Sequence, residues 1–116
     1  MFSLTESIPL YMCLEPVDMR KGIDGLYRMV LAYRQHPLSG SAFVFFGKNR
    51  QCVKILRWEG DGFILYHKRL ERGTFEIPHL DAASGCCKLP WKTFSLIMEG
   101  ISLRSVRYRK RMGFNI

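Results

Sequence analysis

Acid is the scarce component of this chain. Of its 116 residues only 10 are Asp or Glu, against 18 Lys and Arg, and no acid follows Glu99. Long apolar runs are missing too: none approaches the ~20 residues needed to cross a bilayer. The opening Met1-Phe2-Ser3-Leu4-Thr5-Glu6 has no basic start leading into an apolar stretch, so no secretory leader is expected. Cysteine is limited to Cys13, Cys52, Cys86 and Cys87, and their spacing fits neither a disulfide framework nor a zinc ribbon. A reducing cytoplasm is the expected setting. No Ser lies in a Gly-Xaa-Ser-Xaa-Gly turn and no glycines have the spacing of a phosphate-cradling loop. These gaps remove membrane spans, disulfide scaffolds, zinc ribbons, serine hydrolases and nucleotide-loop enzymes.

What remains is a basic globular chain. The formal net charge is +8, yet 47% of the residues are hydrophobic, with 8 Phe, 5 Tyr and 2 Trp. That is enough apolar material for a core, so the charge decorates a folded body rather than a disordered tail. An excess of this kind points to polyanions, with nucleic acid ahead of an anionic membrane surface.

The order of elements reads as a single α+β domain over residues 1–103, followed by a basic C-terminal tail at 104–116. Residues 8–14 mix Ile, Leu, Tyr, Met and Cys as a short buried strand. Pro16 breaks it and Asp18 is placed to cap a helix running from about Arg20 to Tyr33. On that helix Ile23, Leu26, Met29, Val30 and Tyr33 share one face. Gly22 and Gly25 weaken its first turns and suggest close approach of another backbone. Residues 42–47 and 51–58 read as strands, the second with Val53, Ile55 and Arg57 on one face and Cys52, Lys54, Leu56 and Trp58 on the other. An Asp61-Gly62 turn leads to a strand over 63–70, and Gly73 leads into a further strand at 74–77. Together these form an antiparallel β-meander packed with two helices. Residues 79–88 read as a loop. A second helix starts at Leu89-Pro90-Trp91 and ends at Gly100.

Three segments carry a resemblance: Asp18-Met19-Arg20-Lys21-Gly22, then residues 43–63 with Gly47-Lys48-Asn49-Arg50 and Glu59-Gly60-Asp61-Gly62, then Lys68-Arg69-Leu70-Glu71-Arg72-Gly73. In that order and spacing the chain resembles the small TnpB-type accessory protein of the insertion-sequence-sixty-six (IS66) family of bacterial transposable elements, from about Ile8 to Arg107. The resemblance implies a bacterial protein encoded beside a transposase and needed for efficient transposition. It implies no set of catalytic residues. The pair Cys86-Cys87 stands outside the resemblance.

Chemistry is weighed residue by residue. A strand-transfer enzyme or nuclease gathers carboxylates around two divalent metals, and the candidates are Asp18, Asp24, Asp61, Glu71 and Glu76. Asp18 reads as a cap and Asp61 as a turn residue, while Asp24 and Glu71 have cationic neighbours suited to ion pairs. His79 with Cys86 and Cys87 is a thin metal set, so no metal and no cofactor is expected. The candidate nucleic-acid contacts are Arg20, Lys21, Lys48, Arg50, Lys68, Arg69 and Arg72 in the body, and Arg104, Arg107, Arg109, Lys110 and Arg111 in the tail. Such side chains grip phosphates; equally they are a solvated rim around a sheet. The interleaved Phe46, Trp58, Phe63, Tyr66 and Phe75 read as sheet core ahead of base-stacking platforms. No helix-turn-helix pattern is visible, so contact with DNA is expected to be largely non-specific.

The expected function is therefore a non-catalytic, cytoplasmic accessory protein of a transposition system that binds DNA electrostatically within a transposase complex. The alternative is a protein adaptor for the transposase or another element-encoded subunit without DNA contact, for which 6 Met and the aromatics supply apolar surface. A metal-dependent nuclease is the third reading.

Overall fold

The structure, a computed structural model, describes residues 4–78 and 85–100. Its first strand, β1 (Leu10–Cys13), is followed by helix α1 (Ile23–Ala32) and then by β2 (Ala42–Phe46), β3 (Cys52–Trp58) and β4 (Phe63–Arg69). Strand β5 (Cys86–Leu89) and helix α2 (Trp91–Met98) complete the described order. The five strands form one sheet in the order β4-β3-β2-β1-β5. The expected antiparallel meander is β2-β3-β4. The sheet is larger than that meander, because β1 adds in parallel to β2 through the α1 crossover and β5 adds antiparallel to β1. The class is α+β with two helices, as the residue pattern predicts.

Why β2 sits at the centre follows from its residues. Ala42, Phe43, Val44, Phe45 and Phe46 are all buried, the unbroken apolar run required of a strand covered on both faces. Phe43 and Phe45 point to the α1 side, where Leu26, Val30, Leu56, Cys13 and Cys86 join them. Val44 and Phe46 point to the other side, against Leu10, Met12, Ile55, Phe94 and Ile97. The periodicity of α1 holds: Leu26 and Val30 are buried, with Ile23, Met29 and Tyr33 packed around them. Of the five interleaved aromatics Phe46 and Phe75 are core, their ring centroids 5.7 Å apart, and Phe63 and Tyr66 are half-buried against it, while Trp58, edge-on to Phe63 at 5.0 Å, is half-buried outside both clusters.

Several expectations need correction. Asp18 does not cap α1; the helix begins after Gly22, which offers no side-chain cap. The Asp18 carboxylate is taken up locally, accepting from the Arg20 backbone N–H at 2.9 Å and its guanidinium at 2.7 Å, a turn that competes with helix entry. Gly22 has open space around it, and Gly25 faces only the Lys21 side chain. The glycine that permits a close approach is Gly47, where an added Cβ would lie 2.8 Å from Met19 Cγ. Residues 74–77 form no strand. They run alongside the β2–β3 turn and are anchored by buried Phe75, whose N–H donates to the Arg50 carbonyl at 2.7 Å. Residues 86–88, expected in a loop, belong to β5, because Cys86 and Leu89 can be buried on β1. At the β3–β4 hairpin the positive φ falls on Gly60 (96°) rather than Gly62, the pattern of a II′ turn.

Candidate nucleic-acid interface

Strand direction decides which loops meet. Because β1 and β2 are parallel and β3 and β4 alternate from β2, one end of the sheet collects the chain leaving β1, the β2–β3 turn and the chain leaving β4. Val17 bridges to Gly47, with its N–H donating to the Phe46 carbonyl at 3.0 Å. Leu70 N–H donates to the Gln51 carbonyl at 2.8 Å. All seven body cations from the sequence reading lie on these three segments: Arg20 and Lys21 on the first, Lys48 and Arg50 on the second, Lys68, Arg69 and Arg72 on the third. Each is exposed. The opposite end of the sheet carries the acidic hairpin with Glu59 and Asp61. The five tail cations, Arg104, Arg107, Arg109, Lys110 and Arg111, lie outside the described residues.

The seven are not equivalent. Arg20 is locked to Asp18, and the guanidinium and N–H that embrace this carboxylate hold it well below the usual carboxylate range. Arg69 pairs with Glu71 at 3.3 Å, both side chains largely in water, a contact of little stabilising weight. Lys68 and Arg69 leave β4 on opposite faces. Lys68 donates to the Met98 carbonyl at the end of α2, 3.2 Å away, where the negative end of the helix favours a cation. Among the described residues Lys21, Lys48, Arg50 and Arg72 form no ion pair. Arg50 also stands at φ 58°, a left-handed conformation that favours glycine or asparagine.

Two clefts flank the β2–β3 turn and share Gly47 and Lys48. One, of about 320 Å³, lies between Met19 and Cys52; the other, of about 150 Å³, lies between Glu15 and Arg50. Both are small and open to the cationic end.

One side chain that positions the site escapes the sequence reading. Lys54 is buried at 8% exposure in the middle of β3. A buried ammonium must find acceptors, and Lys54 Nζ donates to the carbonyls of Met19 at 2.7 Å and Lys21 at 2.8 Å. It ties the loop that presents Arg20 and Lys21 down onto the sheet. The available signal was a lysine standing alone among Val53, Ile55 and Leu56.

The carboxylates do not assemble around a metal. Asp18 is paired with Arg20, Glu71 with Arg69, and Asp24 sits in the first turn of α1, where the helix dipole favours an acid. Among the described residues no group of three or more His, Cys, Asp or Glu side chains is suited to hold a metal ion. His79 lies outside the described residues. Among the described residues, no helix is long and apolar enough to cross a membrane.

Comparison with known proteins places these features. The chain is 31% identical over 108 residues to y4jC, an uncharacterized protein of Sinorhizobium fredii, covering 92% of this chain and 91% of that one. It is 30% identical over 100 residues to a second uncharacterized protein of the same organism, y4hO, covering 85% of each. No solved structure matches. Residues 8–108 match the family described as IS66 Orf2-like protein, a span that takes in every element described above and all seven clustered cations. The chain is a member of the IS66 Orf2-like family and has that family's accessory role in transposition.

Proposed function

We propose that this protein serves transposition by holding DNA through the phosphate backbone at the cationic end of its sheet, as a non-catalytic subunit of a transposase complex in the bacterial cytoplasm. The observation that carries the reading is the convergence of exposed Arg20, Lys21, Lys48, Arg50, Lys68, Arg69 and Arg72 from three separate segments onto one end. Asp18 and Glu71 lie at the same end but are taken up by Arg20 and Arg69, and Lys21, Lys48, Arg50 and Arg72 form no ion pair among the described residues. The contacts are with phosphate rather than bases, because among the described residues neither helix is a recognition helix of a helix-turn-helix pair. The tail cations Arg104, Arg107, Arg109, Lys110 and Arg111 join the proposal on the sequence alone.

A salt series of anisotropy titrations with duplex and single-stranded DNA tests this. Binding is expected to fall with salt at a log–log slope of about −0.9 per phosphate contact on duplex. Lys48→Gln and Arg72→Gln should each reduce that slope by about one contact, uniformly across DNA sequences. No binding at low salt to either form of DNA overturns the reading.

Attachment to the transposase is assigned to the other end of the molecule. Leu31 near the end of α1 and Leu38 beyond it are exposed large apolar side chains, at 50% and 43%. They lie away from the cations, because α1 runs back from the cationic end to the start of β2. An adaptor without DNA contact is the competing reading. It predicts that Leu31→Ser with Leu38→Ser abolishes co-purification with the transposase, while the charge substitutions leave transposition unchanged.

A further inference from the structure

Two thiols face each other across the β1–β5 ladder. Cys13 and Cys86 are direct partners in the antiparallel register, so their side chains emerge on the same face, where both join the core beneath α1. The Leu14 N–H donates to the Gly85 carbonyl at 2.9 Å, which makes that rung the hydrogen-bonded one and leaves the cysteine pair on the adjacent non-hydrogen-bonded rung. On such rungs the α-carbons lie about 4.5 Å apart and side chains are closest, inside the range a disulfide spans without backbone movement. Cys87 cannot substitute for either partner. It follows Cys86 along the strand, points to the opposite face, and lies across from Met12. Cys52 lies on β3, with β2 between it and β1.

We propose that Cys13 and Cys86 are a redox-active pair that closes to a cross-strand disulfide when the protein meets a peroxide. The two sulfurs already interact. Hydrogen bonding from Cys13 lowers the Cys86 thiol below its ordinary range, while the same contact and burial push Cys13 up. Cys86 is therefore the attacking thiolate and Cys13 the resolving thiol. The Cys86 sulfur attacks one peroxide oxygen; an S–O bond forms, the O–O bond breaks, and the departing hydroxide takes a proton to leave as water. Cys86 is then a sulfenic acid, oxidised by two electrons while the peroxide is reduced. The Cys13 sulfur attacks it, the S–S bond forms, the S–O bond breaks, and the hydroxyl leaves with the Cys13 proton as a second water. One peroxide and two thiols give one disulfide and two waters. Cys13 lines the 150 Å³ cleft beside Glu15; Cys86, 6% exposed, lies behind it on the same rung, so the step takes a small oxidant, and hydrogen peroxide is the one tested. Closure staples the edge strand β5 to β1 next to the loop carrying Arg20 and Lys21. The inference is independent of DNA binding.

The test is a peptide map of the full chain after hydrogen peroxide, alkylation of remaining thiols and proteolysis. The expected product is a Cys13–Cys86 linked peptide that disappears on treatment with dithiothreitol and persists in Cys87→Ser. The oxidised chain should also unfold at a higher urea concentration than the reduced one. In Cys13→Ser, oxidation should stop at Cys86 sulfenic acid, trapped by dimedone. If that variant does not fold, the map of the unsubstituted chain decides alone. Recovery of both Cys13 and Cys86 in alkylated form, or linkage of Cys86 to Cys52 or Cys87, overturns the proposal.

Discussion

Lys54 Nζ lies 2.7 Å from the carbonyl oxygen of Met19, and the same ammonium reaches the Lys21 carbonyl at 2.8 Å. One buried cation thus holds a loop whose own exposed cations face outward. Lys54→Met keeps the aliphatic bulk and removes the donor, leaving the two carbonyls to find water. The expected loss is about 1–3 kcal/mol in urea denaturation, with weaker DNA binding than the surface variants produce, because Arg20 and Lys21 lose their mooring. An unchanged unfolding midpoint would show the loop to be held by other contacts.

Met19 meets Gly47 from the other side. A Cβ at Gly47 would stand 2.8 Å from Met19 Cγ, too close for any side chain to stay where it is. Gly47→Ala is expected to cost roughly 1–3 kcal/mol through displacement of Met19. Met19→Ala should recover part of that loss in the double variant, a positive coupling that a double-mutant cycle reads directly.

Arg50 sets stability against binding. Its φ of 58° is tolerated by a non-glycine residue at a cost of roughly 1 kcal/mol. Arg50→Gly should therefore raise stability by up to about that amount while weakening DNA binding and flattening its salt dependence. Arg50→Lys should retain the binding without the gain in stability. A variant that becomes both more stable and tighter in binding would remove Arg50 from the interface.

The Asp18–Arg20 contact defines an acid-sensitive feature. The folded-state pKa of Asp18 is depressed below its ordinary 3.8 by the Arg20 guanidinium and N–H. Stability from this contact is therefore present above pH 3.8 and is lost as pH falls through the depressed value. A carbon-detected NMR titration should find the Asp18 midpoint well below 3.8, and Arg20→Ala should return it towards that value. Neutral-pH stability should change little, since both groups are exposed.

Much of this molecule is legible in local pattern. The spacing of Leu26 and Val30 defines α1, the unbroken run from Ala42 to Phe46 defines a doubly covered strand, and Gly100 closes α2 at φ 77°. These signals are short-range and each residue carries its own part. Where local reading fails, a contact that the pattern does not encode has decided the outcome. Residues 86–88 look like loop until β1 is there to pair with them, and residues 74–77 look like strand but run beside the β2–β3 turn, with the Phe75 N–H on the Arg50 carbonyl. Asp18 looks like a cap until Arg20 captures it.

The candidate interface divides in the same way. Composition alone determines that the protein is basic, folded and short of acid, and the order of motifs determines its family. Neither determines that Arg20, Lys48 and Arg72 belong together, because parallel addition of β1 to β2, pairing Leu10 with Ala42, is what turns the chain leaving β1 towards the β2–β3 turn. The role of Lys54 is equally non-local, its acceptors lying 35 and 33 residues earlier. Facing of Cys13 and Cys86 depends on a register set by burying Leu10 and Leu89 on one face. Chemical character is a property of residues and is written in the chain; convergence is a property of strand order and register, which only the packed sheet decides.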